Sequence, residues 1–293
     1  MSRGTAACVL GAWLPLVAAA GPYDLEQEGF RVPPSELQAS VQTICLRAPR
    51  ADLPIGQWAL RSAWMEQFLA KKLGEAHFGT VPSERVERAA AEATKAAGGM
   101  YDPLTGRAMP AKRETVLRAE REALRSTLGC QAELAIEIHV VRLRWTERVA
   151  QWDYVYQDLG GGDLYIGTAQ GLSLWLALRS LEGVPLLERA GGIESLTSID
   201  NAFLSEPRLK DANPASLLNN TTWNARAAIA ALGALAQQPS PATAQCVAQA
   251  KAKEKGKVDP VAQRALCEAQ AFVFAPPPER PAEAADAQPA AKP

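Results

Sequence analysis

Gly171-Leu-Ser-Leu-Trp-Leu-Ala-Leu-Arg-Ser-Leu-Glu-Gly-Val-Pro-Leu-Leu187 is the stretch that decides how this chain folds. Leu172, Leu174, Leu176 and Leu178 alternate with Ser173, Trp175, Ala177 and Arg179, the period of two that turns one strand face into a core. Glu182-Gly183 offers a turn, and Val184 to Glu188 reads as the returning strand of a β-hairpin. A sheet therefore sits at the centre, and the rest of the chain has to pack around it.

Upstream, Leu134, Ile136, Ile138 and Val140 alternate with Glu137 and His139, and then Val141, Leu143 and Trp145 alternate with Arg142 and Arg144. The apolar phase slips by one near Val140, the pattern of a bulge or of a strand passing from half-buried to rim. Val41–Leu46 and Phe78–Val81 are shorter β-rich runs. Trp152, Tyr154 and Tyr156 fall on one face of a further strand, and Gly160-Gly-Gly162 reads as the turn after it. Helical spacing places Leu60, Trp64 and Phe68 on one stripe from Trp58 to Gly74. More helices are expected from Ser83 to the Gly98-Gly99 pair, over about 111–128, and from Thr222, where Trp223, Ala227, Ala230 and Ala234 share a side. Tyr101–Gly106 is turn chemistry, and Asn201–Asn213 reads as a loop.

The expected class is α/β (α+β): a mixed sheet of about five strands with a long hairpin, and helices packed on it. Residues 1–20 read as a signal peptide, 21–40 as an extended segment, 41–238 as the α/β domain and 239–272 as a pair of helices. From 273 to 293 a disordered tail is expected, since Pro or Ala fills 13 of the 19 positions from Ala275 to Pro293.

Arg3, the apolar run from Cys8 to Ala19, and Ala18 and Ala20 ahead of Gly21 compose the signal, with cleavage after Ala20. A buried N-terminal helix or a misplaced start codon is the competing reading. Cys8 stands at the start of the apolar run instead of directly after it, so it is badly placed for lipidation on this start site. The run is also well short of the ~20 residues that span a bilayer. The chain of 293 residues carries 31 basic and 32 acidic side chains, a balance that points away from nucleic acid and from a membrane surface. The implied location is the periplasm. Four cysteines lie beyond the signal, and Cys246 and Cys267 fall in two helical stretches that can pair antiparallel, as a disulfide or as free buried thiols. Whether Cys45 and Cys130 are bridged is open.

The order of elements resembles the sheet-and-helix domain of envelope proteins similar to the curli-secretion lipoprotein, the penicillin-binding-protein activator lipoprotein and the amino-terminal domain of the Tol-Pal translocation protein. Val41–Leu46, Cys130–Val140 and Gly171–Leu187 carry the likeness, which extends over about Val41 to Leu235. The lipidation cysteine and the pore-forming hairpins are missing, so curli-type secretion does not carry over. The resemblance implies a non-enzymatic envelope role exercised through contact with another envelope protein, and it transfers no functional residue.

No catalytic, cofactor-binding or metal-binding residue is assigned. His77 and His139 are the only histidines and lack zinc spacing. Gly171-Leu-Ser173-Leu-Trp175 imitates a nucleophile elbow, but the serine lies inside an alternating strand. Gly160–Gly162 lacks the Lys-Ser/Thr of a phosphate loop, and Asp102, Thr105 and Asp163 lack calcium-loop spacing. Asn219 and Asn220 head glycosylation sequons, a short pattern that arises often by chance. The aromatic set Trp145, Trp152, Tyr154, Tyr156 and Tyr165 is either an interaction surface or the rim of the core. The functional expectation is an assembly or activator-type binding factor. The alternatives are an envelope-polymer hydrolase and a structural accessory tethered by its Pro/Ala tail. Oligomeric state is left open.

Overall fold

A computed structural model describes residues 29–102, 105–146, 149–158, 166–200, 208–236, 239–253 and 259–277. In chain order these form α1 (Pro34–Ser40), β1 (Thr43–Leu46), β2 (Arg50–Ala51), α2 (Trp58–Glu75), β3 (Gly79–Val81), α3 (Ser83–Ala96) and α4 (Pro110–Leu128). The strands β4 (Ala132–Thr146), β5 (Val149–Trp152), β6 (Val155–Asp158), β7 (Ile166–Ser180), β8 (Pro185–Ser195), β9 (Thr197–Asp200) and β10 (Arg208–Asp211) follow. The helices α5 (Thr221–Leu232), α6 (Pro241–Lys253) and α7 (Pro260–Ala271) close the order. The expected α/β class is what the structure shows, with a mixed eight-stranded main sheet, larger than five strands.

Its axis is a ribbon of two 15-residue strands, β4 and β7, paired antiparallel from Ala132↔Ser180 to Thr146↔Ile166. The free side of β7 takes β8. The free side of β4 is shared: β1 pairs parallel at Ala132–Leu134, β2 parallel at Glu137–Ile138, and β5 antiparallel at Arg144–Thr146. β3 flanks β1, β6 flanks β5, and β9 and β10 form a separate two-stranded sheet.

The slip near Val140 is not a bulge in this pairing, because β4 and β7 stay in register throughout. The apolar side changes face instead. Leu134, Ile136 and Ile138 with Leu172, Leu174, Leu176 and Leu178 bury one face, packed with α2 and α5. Farther along, Leu143 and Trp145 point to the opposite face and build a second core with Ala150, Trp152, Val155 and Ala169. A strand that changes partners must change its buried face, and a phase slip in sequence is how it does so.

The lid of this second core is a hairpin rather than the single strand expected over 152–156. Asp153 and Tyr154 both have positive φ, 34° and 62°, the two-residue turn whose twist suits adjacent strands. The hairpin closes over the sheet: Gly192 N–H donates to Asp153 O at 2.7 Å, and Trp152 Nε1 donates to Leu172 O at 3.2 Å.

Gly191 and Gly192 make this double packing sterically feasible. A Cβ on Gly191 would lie 2.1 Å from Ala227 O of α5, and one on Gly192 would lie 2.4 Å from Val155 Cγ2 and 2.7 Å from Trp152 Nε1. Helix and hairpin approach the strand from opposite sides, each to a distance that only glycine permits.

Several other expectations change. The segment taken as extended over 21–40 contains α1, begun by Pro34 in the first turn. Residues 29–31 run along the edge of β8, with Arg31 N–H donating to Leu186 O. β10 falls within the expected loop Asn201–Asn213. Leu60, placed on the apolar stripe with Trp64 and Phe68, is 41% exposed, since α2 turns that position outward at its first turn. The expected tail starts later than 273: Phe274 packs on the core, and Gln67 donates to Ala275 O at 2.8 Å. The residues expected to form signal, glycine turn and most of the tail lie outside the described residues.

Both cysteine pairs are disulfides. Cys45–Cys130 joins β1 to the turn before β4, and Cys246–Cys267 joins α6 to α7. α6 and α7 are thus linked to each other, and α7 also packs on the rest of the fold. Its Glu268 meets Lys72 of α2 at 2.6 Å with both side chains fully buried, and Lys72 also reaches Glu75 at 2.5 Å. Phe272 stands edge-on to the stacked Trp64–Phe68 pair.

Candidate functional site

Between the two capped ends of the ribbon, no helix or hairpin among the described residues lies over one sheet face at Trp175. Its centre is Trp175 on β7, with Glu137 of β4 and Ala190 of β8 directly across from it. Strand alternation forces Trp175 outward, because Leu174 and Leu176 take the core. It is 39% exposed, while its neighbours Ser173 and Ala177 are buried and small. A large ring thus projects from a shallow bed.

A polar cluster borders it. His139 is two positions from Glu137 on β4, so both face the same way, as the sequence implies. Its Nε2 lies 2.9 Å from Glu137 Oε2, and its Nδ1 lies 2.8 Å from Asp52 Oδ2, just beyond β2. Partial burial pulls the imidazole pKa down, but hydrogen bonds and charge from Asp52 and Glu137 outweigh it. The net value stands above the ordinary 6.5. Arg50 on β2 is the register partner of Glu137.

Ser173 is the residue directly across from His139. Its hydroxyl donates to Asp153 Oδ2 at 2.5 Å, while both imidazole nitrogens face carboxylates. Serine, histidine and acid are therefore neighbours without the serine-to-histidine hydrogen bond that activates a nucleophile.

The aromatic candidates separate. Trp145 is fully buried and Trp152 nearly so; both are core of the capped end and not interaction surface, because the phase slip turns Trp145 under the hairpin and Trp152 points inward from the hairpin itself. Tyr154 sits at the hairpin tip with the Arg189 guanidinium 4.3 Å from its ring centre. Tyr156 is exposed on the outer side of β6, and Tyr165 lies outside the described residues. Trp175 stands outside the expected aromatic set. Its signal was legible: a large ring in the outward phase of the most hydrophobic strand. Asp52 and Asp153 carry no such signal, since loop geometry alone brings them there.

Among the described residues no group of three or more His, Cys, Asp or Glu side chains is arranged to hold a metal ion. No helix among them is long and apolar enough to cross a membrane. No protein-family model, curated protein or solved structure matches this chain.

Proposed function

We propose that this chain is a non-catalytic binding factor of the bacterial cell envelope, exported to the periplasm, and that another envelope protein docks on the open sheet face around Trp175. The observation that carries the reading is Trp175 itself, a large apolar side chain left 39% exposed on an otherwise ordered face. Tryptophan anchors dominate binding energy where they enter a partner's pocket, and surrounding small residues let the partner approach closely. The two disulfides are compatible with an oxidising compartment outside the cytosol. The serine–histidine neighbourhood supports binding over hydrolysis, because the serine hydroxyl is committed to Asp153.

A photo-crosslinking residue placed at position 175 in living cells tests this. The expected outcome is one dominant adduct to an envelope protein, absent when the probe replaces Tyr101, which is exposed on the turn between α3 and α4. No adduct at 175, or the same adducts from both positions, defeats the docking reading. Recovery of uncleaved protein from the cytosol defeats the location.

A further inference from the structure

We propose that His139 is a proton-operated clasp, which fastens the β2 segment to the central ribbon when the imidazole is charged and slackens when it is not. The inference is independent of any docking partner, since it concerns the fold alone. A neutral imidazole has one N–H and one lone pair, so it can donate to only one acceptor. Here both ring nitrogens face carboxylate oxygens, Asp52 Oδ2 at 2.8 Å and Glu137 Oε2 at 2.9 Å. With ionised acids the arrangement is complete only for imidazolium, which donates twice. Loss of the proton turns a lone pair toward one carboxylate and leaves two negative groups sharing a single donor.

The groups around the ring can be named element by element. β2 and the residue after it supply Arg50 and Asp52, and β4 supplies Glu137. β7 supplies Ser173, whose hydroxyl belongs to Asp153 of the hairpin. Arg50 is the register partner of Glu137, and the charges acting on the ring are those of Asp52 and Glu137. β2 has only two residues; Asp52 N–H donates to Ile138 O at 3.0 Å, Ala51 and Leu53 pack on the core, and Arg47 holds the chain ahead of β2 to Glu133, so the clasp adds to these attachments at the end of the segment. The clasp sits beside Trp175, at the border of the open face.

The sign is fixed by the raised pKa. The stabilisation is fully present below the unfolded value near 6.5 and is lost as pH rises through the folded value. The full-length chain has only two histidines, so NMR titration of the ring signals, assigned with His77→Gln, reads His139 directly. We expect a midpoint above 6.5 that drops in Asp52→Asn. We also expect exchange of the Asp52 amide, corrected for its intrinsic rate, to quicken up to about tenfold for each unit of pKa elevation once pH exceeds the midpoint. Asp52→Asn keeps the side-chain shape, and Glu137→Gln serves as a second variant if it folds poorly. A wild-type midpoint at or below 6.5, a midpoint unmoved by both substitutions, or corrected exchange that does not change with pH would each overturn the clasp.

Discussion

The two ends of the β4–β7 ribbon bury opposite faces of the same strands by different means. At the foot, helices α2 and α5 cover Leu134–Ile138 and Leu172–Leu178, α3 and α4 shield the other side, and Cys45–Cys130 ties the strands together. At the far end no helix among the described residues covers the second core; a two-residue turn folds β5 and β6 over Leu143 and Trp145. The foot is a large core that the chain as a whole has to assemble, whereas the far end is nearly local in sequence. Such a difference should appear as two levels of stability, global at the foot and sub-global at the cap.

The largest effect expected is at the foot. Removing Cys45–Cys130 with a double alanine variant frees a loop with a sequence separation of 85. The chain-entropy relation gives a loss of about 4.5 kcal/mol there, against about 3.3 kcal/mol for Cys246–Cys267, whose separation is 21. Denaturant midpoints rank the two, and the reverse order would show that the helical pair carries more of the fold than the foot. Next come the paired glycines. Gly191→Val drives a side chain into the α5 backbone and should cost about 3 kcal/mol globally. Gly192→Val displaces Trp152 and Val155 instead, so it should loosen the cap and spare the foot. Equal losses from the two variants would mean that the ends are one cooperative unit.

Trp152→Ala sharpens the contrast. It should cost about 3 kcal/mol, read as faster hydrogen exchange in 149–158 and 143–146, with little change at 134–138. Last and smallest, burial pushes the Glu194 carboxyl up, opposed by the Leu218 N–H it accepts and by Arg61. Its contribution is complete below the ordinary 4.5 and is lost as pH rises through the folded value. Glu194→Gln should remove a pH dependence of at most about 1.4 kcal/mol per pH unit that sets in as pH rises above the ordinary 4.5. Identical slopes in both proteins would place the dependence elsewhere.

The foot was legible because its signals are local. Alternating leucines, the Glu182-Gly183 turn and the 3.6-residue stripe of Trp64 and Phe68 each state their own structure. The cap was half legible. The slip at Val140 was visible, but a strand that turns over and a strand with a bulge leave the same trace. The hairpin was misread because Asp153-Tyr154 adopts positive φ without the glycine that usually advertises such a turn. The open face was hardest to foresee. His139 and Glu137 are neighbours in sequence, but Asp52 arrives through β2 and Asp153 through the hairpin, 87 and 20 residues from the groups they bind. Trp175 could have been found by asking which ring stands in the outward phase.

Gly191 and Gly192 carry a mechanical consequence. Where side chains separate two layers, rotamers can yield when one layer shifts. At this dipeptide the α5 carbonyl of Ala227, the strand and the Trp152 indole meet with no side chain of the strand between them. Close-packed matter without a soft element transmits displacement instead of absorbing it. A displacement of the hairpin is therefore passed to α5 through the strand backbone, with no side chain of the strand to take it up.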